Sequence, residues 1–240
     1  MNKQEAAKAI QPEPRLVTEA RARMPSIQYR HNLRPGAPTL LFLPGASRDH
    51  LHYEGPVIVD RLAVDNNVIA VGYPYQENRS PDIVDQKPEP QDRSGASQRA
   101  ADAIELLDTL QSKQGDLHLV VKSVGVLHAL AHLRQHPDIS ERTMLTVLGL
   151  PFYKKAPEQT AFDTRLKSLQ IIQGEQDRFF TPDKATEYVQ QYAQQLGCNP
   201  TVIGVGGDHS YRGESQGKED WSNLPEHLPE VLRVLSGFKL

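Results

Sequence analysis

Three side chains of the types that cooperate in nucleophilic catalysis follow three separate apolar runs of the sequence. Ser123 comes directly after "LHLVVK", Asp177 after "LQIIQGEQ" and His209 after "TVIGVGGD". A serine hydroxyl is a poor nucleophile at neutral pH, so it needs a base within hydrogen-bond reach, and that base needs a carboxylate to orient it. The three residues can therefore supply a nucleophile, an acid and a base for acyl transfer, provided that the fold brings them together.

The apolar runs alternate with helical stretches along the whole chain. Runs such as "PTLLFLPGA", "NNVIAVGYPY" and "TMLTVLGLP" have the length and composition of strands buried on both faces. This alternation predicts an α/β fold with a single doubly wound, mostly parallel sheet and helices on both faces. In such a sheet, reactive groups collect at the carboxyl ends of the strands, where all three candidate residues stand.

Several connecting segments carry more specific signals. The segment "TPDKATEYVQQYAQQLG" predicts one helix that is capped by Thr181 and ended by Gly197. The polar segment from Gln76 to Ser97 predicts a surface loop, because it is rich in charges and proline. A final helix is predicted to carry Leu224 and Leu235 on its apolar face.

The bulk composition limits the possible classes of protein. The 240 residues fit one domain, and we expect residues 1–25 to form a loosely packed arm before a single domain at 26–240. The net charge is -3 and no basic run with aromatic residues occurs, so we expect no nucleic-acid partner. We also expect no membrane span and no secretory signal, because long apolar stretches are absent. The single cysteine, Cys198, fits a cytoplasmic protein.

The sequence resembles the α/β-hydrolase superfamily, in particular its small, cap-less serine esterases and dienelactone-hydrolase-like members, over roughly residues 26–240. The segment "KSVGVLHAL" looks like the strand–turn–helix elbow that carries the nucleophile in that superfamily. The segments "QGEQDRFFTP" and "GGDHSY" look like its acid and histidine loops, and "LFLPGA" looks like its oxyanion loop.

By this resemblance, Ser123 is the nucleophile, His209 the general base and Asp177 the carboxylate that orients the base. The backbone amides of Ala46 and Val124 would donate hydrogen bonds to the oxyanion. The expected function is therefore a serine hydrolase that cleaves a small-molecule carboxylic ester or thioester through an acyl-enzyme. We expect no cofactor, and the sequence indicates no protein partner.

The elbow departs from the usual G-x-S-x-G pattern, because Val121 stands where the first glycine is expected while Gly125 keeps the second. This departure motivates an alternative hypothesis, in which the protein is a catalytically inactive member of the fold that binds a ligand or a partner. A nucleotide-binding domain is disfavoured, because neither G-x-G-x-x-G nor a P-loop occurs.

Other acidic residues compete with Asp177 for the role of the orienting carboxylate. Glu175 lies in the same loop, and Asp183 lies in the first turn of the next predicted helix, where it would complement the helix dipole. Asp208 adjoins His209, but adjacent side chains on an extended chain point apart, so we expect the weaker geometry there.

Aromatic residues follow the strand ends and are expected to surround an acyl or aryl group. The expected substrate-pocket residues are Tyr73, Phe152, Phe179 and Tyr211. The segment from Leu150 to Ala161 is too short for a sizeable cap domain, so we expect an open site.

Three histidines, His128, His132 and His136, stand four residues apart on the predicted helix after Ser123. Each four-residue step rises about 6 Å along a helix, so the first and third cannot both reach one ion. We therefore expect no metal at this row of histidines.

Overall fold

The computed structural model describes residues 13–30, 32, 36–45, 54–73, 90–151, 159, 161–213 and 224–236. Within these ranges, seven strands form one sheet in the order β1-β3-β2-β4-β5-β6-β7. Among the seven described strands, β1 pairs antiparallel with β3, and the other five pairs are parallel. The strands are β1 Gln28–Arg30, β2 Thr39–Leu43, β3 Asn67–Ala70, β4 Leu117–Lys122, β5 Thr143–Leu148, β6 Ser168–Gly174 and β7 Thr201–Val205.

The helices of the described residues cover both faces of this sheet. They are α1 Arg15–Ala20, α2 Glu54–Leu62, α3 Pro90–Leu110, α4 Gly125–Leu133, α5 Pro137–Ser140, α6 Pro182–Gln190, α7 Ala193–Leu196 and α8 Leu228–Ser236. The larger core cluster lies on one face, where α1, α3, α4 and α6 pack. The smaller cluster lies on the other face, beneath α2 and α8. The doubly wound architecture expected from the sequence is therefore confirmed.

The central strands are apolar along their whole length, because both of their faces are covered. All six side chains of β4 are buried, and β4 pairs in register with β2 and β5. Ser123 directly follows β4 and therefore lies at the middle of the carboxyl edge of the sheet. No helix among the described residues is both long and apolar enough to cross a membrane.

Four segments differ from the sequence expectation. α3 begins at Pro90, so the last part of the expected Gln76–Ser97 loop is helical. Proline suits the first turn of a helix. Residues 74–89 lie outside the described ranges. The expected helix after Thr181 divides into α6 and α7, although Gly197 ends α7 with a positive φ of 68°. Leu224 is exposed and precedes α8.

The N-terminal segment is the fourth difference. A loosely packed arm was expected over residues 1–25, of which 1–12 lie outside the described ranges; within residues 13–25, α1 packs against α3 and buries apolar side chains. Val17 and Met24 are fully buried within the larger core cluster. The segment therefore belongs to the packed domain from residue 13 onward.

Candidate active site

Ser123 stands on a sharp turn between β4 and α4. Its φ is 48°, in the left-handed region that non-glycine residues rarely adopt. Hydrogen bonds hold this strained conformation: the Ser123 N–H donates to the Leu148 carbonyl at 2.9 Å, and the Ser123 carbonyl accepts from the Val126 N–H at 3.1 Å. A side chain held in this way is fixed at the edge of the sheet, and such strain is concentrated at functional sites.

Gly125 is required by the close approach of α4 to the end of β2. A Cβ at this position would lie 2.7 Å from the Pro44 carbonyl oxygen and 3.0 Å from that of Leu43. These oxygens belong to the backbone and cannot easily move. Gly125, two residues after Ser123, therefore lets α4 approach the end of β2 closely.

Val121 is part of the buried core. Its side chain is fully buried in the core cluster that also contains Val126 and Ala129 of α4. Its backbone keeps the parallel register with Leu43 and Val147 on the two neighbouring strands. The valine thus contributes to the core beneath α4, and the turn at Ser123 forms in its presence.

The structure brings Ser123, His209 and Asp177 into one hydrogen-bonded chain. The Ser123 Oγ lies 2.8 Å from Nε2 of His209, and Nδ1 of His209 lies 2.6 Å from Oδ2 of Asp177. An ionised carboxylate only accepts hydrogen bonds, so Nδ1 must donate to it. In the neutral ring, Nε2 is then left to accept the serine hydroxyl proton, which is the tautomer that a general base needs.

The Asp177 carboxylate is fully buried and is held by more than His209. The Phe179 N–H donates to Oδ1 at 2.8 Å, and the side-chain amide of Gln173 donates to Oδ2 at 2.5 Å. The same amide nitrogen donates to the Phe180 carbonyl, and the amide oxygen accepts from the Leu150 N–H at 2.8 Å. Gln173 therefore ties the acid loop to the end of β5.

Gln173 was missed by the sequence reasoning. It is a fully buried amide in the strand "SLQIIQG". A polar side chain so close to the expected acid, in a strand predicted to be buried, is a signal for a hydrogen-bonding role, because buried amides are nearly always paired.

The three carboxylates that competed with Asp177 in the sequence do not take its place beside Nδ1 of His209. Asp208 accepts hydrogen bonds from Nη2 of Arg212 at 2.9 Å and from the Ser210 N–H at 2.8 Å. Burial acts to raise the pKa of Asp208, but the hydrogen bonds and the charge of Arg212 outweigh it and lower that pKa. Glu175 is exposed, and Asp183 lies in the first turn of α6.

The four aromatic residues expected in the substrate pocket occupy different places. The ring of Phe179 lies edge-on to His209, with centroids 4.8 Å apart. Tyr73 and Tyr211 are fully buried, with Tyr73 against His128 and the Tyr211 hydroxyl donating to the Ile172 carbonyl. Of the four, Phe179 is beside the histidine ring, the two tyrosines are in the interior, and Phe152 lies outside the described residues.

Of the two expected oxyanion donors, Val124 lies within the described residues and Ala46 does not. Val124 directly precedes α4 and has helical dihedral angles. The first N–H groups of a helix have no acceptor within the helix, so the position suits a donor to an external oxygen. Ala46 lies outside the described residues.

Solved structures with the same architecture come from several bacteria. The chain is similar to a carboxylesterase from Bacillus cereus, with 13% identity, a TM-score of 0.57 and coverage of 93% of this chain and 99% of the esterase. It is also similar to a dienelactone hydrolase from Anabaena variabilis, with 11% identity, a TM-score of 0.57 and coverage of 88% of each chain. An alpha-beta serine hydrolase homologue from Coxiella burnetii matches with 13% identity, a TM-score of 0.56 and coverage of 87% of this chain and 88% of that chain.

No protein-family model and no curated protein matches the sequence. At identities this low, the structural similarity establishes the fold alone. The protein has the α/β-hydrolase fold, as its sequence motifs indicated.

Proposed function

We propose that the protein is a serine hydrolase that cleaves a carboxylic ester or a thioester of a small molecule through an acyl-enzyme. The observation that carries this proposal is the hydrogen-bonded chain from Ser123 through His209 to the buried Asp177, with the serine on a strained turn. In nucleophilic catalysis, a serine needs a histidine to take its proton, and the histidine needs a carboxylate to orient it. The carboxylesterase and the dienelactone hydrolase among the structural neighbours act on esters by name, which agrees with this class of substrate.

In the proposed reaction, the Ser123 Oγ attacks the carbonyl carbon of the substrate while Nε2 of His209 accepts the hydroxyl proton. The resulting oxyanion accepts hydrogen bonds from the backbone amides of Val124 and Ala46. One such donor typically contributes about 2.7–4 kcal/mol to transition-state stability. Asp177 stays ionised and stabilises the imidazolium.

The tetrahedral intermediate then collapses. The bond to the leaving oxygen or sulfur breaks, and His209 returns its proton to that atom, which leaves the acyl group on Ser123. A water molecule gives a proton to His209 and attacks the acyl carbonyl in the second half of the cycle. Release of the carboxylic acid restores the serine hydroxyl and the neutral imidazole.

The alternative hypothesis, a catalytically inactive binding protein, rested on Val121. Val121 fits within the core and the turn at Ser123 retains its hydrogen bonds, so the local geometry offers no support for that hypothesis. The short distances along the chain of three residues favour catalysis instead.

Covalent labelling tests the proposal. We expect a fluorophosphonate probe to modify Ser123 in the full-length protein, as identified by peptide mass spectrometry. Modification should disappear in Ser123→Ala and fall strongly in His209→Ala. Hydrolysis of a panel of p-nitrophenyl acyl esters should fall by about 10⁴-fold or more in Ser123→Ala.

Ser97 offers a matched control. Its Oγ also lies 2.9 Å from a histidine nitrogen, Nδ1 of His128, but it stands on α3 and has no elbow. Ser97→Ala should therefore keep both the labelling at Ser123 and the esterase activity. A folded wild-type protein that resists the probe and all the esters would support the inactive binding protein instead.

A further inference from the structure

Two histidines and one glutamate meet where α3 packs against the end of α4. Glu105 comes from α3, His132 from the last turn of α4, and His136 from the residue before α5. One potential ligand atom of each side chain lies within 4.8 Å of those of the other two. Among the described residues, this is the group of histidine, cysteine and acidic side chains with metal-ligand spacing.

This group is not the row of three histidines considered from the sequence. His128 points elsewhere, with Nδ1 2.9 Å from Ser97 Oγ and its ring against Tyr73. α4 ends at Leu133, so the chain turns and the ring of His136 stacks on that of His132, with centroids 4.2 Å apart. Positions four residues apart lie on one side of a helix, and the two rings remain in contact although α4 ends between them.

His132 is the buried member of the group. Its side chain is 7% exposed, and its Nε2 has no hydrogen-bond partner within the described part of the chain. Oε1 of Glu105 lies 3.4 Å from this nitrogen. A buried nitrogen that lacks a hydrogen bond costs free energy, and a bound ion would remove that cost.

The separation of these two atoms suits a metal. Ligands that lie 2.0–2.1 Å from a tetrahedral zinc ion are about 3.4 Å from one another. Glu105 is 48% exposed and His136 is half-buried, so both side chains can rotate to close the remaining gap. The exposure of Glu105 also gives an ion a path from solvent.

We propose that Glu105, His132 and His136 bind a divalent transition-metal ion of the zinc type. Imidazole and carboxylate are ligands that such ions accept, and three protein ligands leave the fourth position for water. Burial and the neighbouring His136 lower the pKa of His132, against the opposing influence of Glu105, Asp102 and Asp138. The ring is thus kept in the neutral form that binds metal.

The bound ion would join α3 to the junction of α4 and α5. α4 is the helix that begins behind the candidate nucleophile, so the ion would fix the far end of that helix. The proposal does not depend on hydrolase activity, because none of its ligands belongs to the chain of Ser123, His209 and Asp177.

Zinc titration of the full-length protein, freed of metal with a chelator, tests the site. We expect calorimetry to show one tightly bound equivalent, and we expect Tm to rise by about 5–10 °C at a free zinc concentration 100 times Kd. Co²⁺ should give a visible ligand-field spectrum of a low-symmetry, four-coordinate ion. Glu105→Gln and His136→Gln should each raise the Kd for zinc by more than about 100-fold and abolish the rise in Tm. The expected loss is this large because removing even a residue that only supports a metal ligand lowers metal affinity 10–100-fold.

Two variants serve as controls. His128→Gln removes a histidine of the same row, and Glu187→Gln removes an exposed glutamate on α6; both should retain the tight equivalent. Glu105 is a surface residue, so its variant should fold, and circular dichroism checks this. The proposal would be overturned if the wild type bound no zinc tightly. It would also be overturned if both Glu105→Gln and His136→Gln still bound one zinc ion tightly.

Discussion

At the scale of single residues, the candidate site depends on one buried carboxylate. Asp177 accepts hydrogen bonds from His209, Gln173 and the Phe179 N–H, so its charge is compensated although its side chain is out of contact with water. Charge-assisted hydrogen bonds of this kind are stronger than neutral ones, and they also fix geometry. Gln173 is therefore expected to act as a positioning residue: it holds the carboxylate that orients the histidine.

Replacing Gln173 by leucine tests this role. The change removes one donor to Asp177 and leaves the Leu150 N–H without its acceptor, which costs about 1–3 kcal/mol of stability. A carboxylate that is free to shift would hold the His209 ring less well, so kcat on an activated ester should fall about 10–100-fold. KM should stay nearly constant, because the fully buried Gln173 is out of reach of a bound substrate.

Gln170→Leu is the matched control, since Gln170 lies three residues earlier on the same strand and pairs opposite Thr146 and Thr201. Its kcat should match that of the wild type. Equal losses of kcat in the two variants would show that Gln173 supports β6 in general and not the position of Asp177.

The residues of the candidate site differ in how far the sequence could predict them. Ser123, Asp177 and His209 follow three apolar runs, so their meeting at one edge follows from parallel strand order alone. The role of Gln173 depends on Leu150 and Phe180, which reach it only after the loops fold back. Strand periodicity carries no information about such contacts, and so the residue was missed.

At the scale of elements, the site is a junction of β2, β4 and α4. The left-handed Ser123 turns the chain from β4 into α4, and Gly125 lets the first turn of α4 pass close to the carbonyls of Leu43 and Pro44. The pattern of apolar runs was sufficient to predict the strands of this junction, since both of their faces are covered. The ends of the helices were less predictable. α3 begins within a polar stretch, because burial of residues such as Ala96 and Ala100, and not the local composition, determines where this helix lies.

Gly125→Ala should separate α4 from β2. The new methyl group would approach two backbone oxygens to within 2.7 and 3.0 Å, so the helix must move or the strand end must distort. Overpacking of this kind costs about 1–3 kcal/mol. We expect a lower denaturation midpoint in urea and a loss of fluorophosphonate labelling, because Ser123 lies between the displaced elements.

Gly45→Ala provides the comparison for stability. A Cβ at Gly45 would lie 3.6 Å from the Ser123 Cβ and 3.7 Å from Cγ of Lys122, which are ordinary van der Waals contacts. This variant should keep the wild-type free energy of unfolding to within about 0.5 kcal/mol. Equal midpoints for Gly125→Ala and the wild type would mean that α4 has room that the structure does not indicate.

At the scale of the whole molecule, the two ends of the sheet have different character. The carboxyl ends of the strands carry Ser123, Asp177 and His209. A cavity of about 610 Å³ lies at the opposite end and is lined by the first residues of β4, β5, β6 and β7. Its lining includes His118, whose Nε2 lies 3.4 Å from Thr146 Oγ1.

His118 should make the free energy of unfolding depend on pH. It is 4% exposed, and burial lowers its pKa from 6.5 to about 4. Between these two values, the unfolded chain binds a proton that the folded protein does not bind. The free energy of unfolding should therefore fall as the pH decreases from 6.5 to 4, and His118 alone should account for about 3 kcal/mol of that fall.

The variant His118→Gln isolates this contribution. Glutamine keeps an amide near Thr146 but does not titrate, whereas every other titratable group is common to both proteins. Urea unfolding at several pH values should show that the wild type loses about 3 kcal/mol more than the variant between pH 6.5 and 4, with the difference constant above pH 7. Parallel curves for the two proteins would mean that His118 takes up its proton in the folded state as readily as in the unfolded chain, which would require water to enter the cavity and solvate the charged ring.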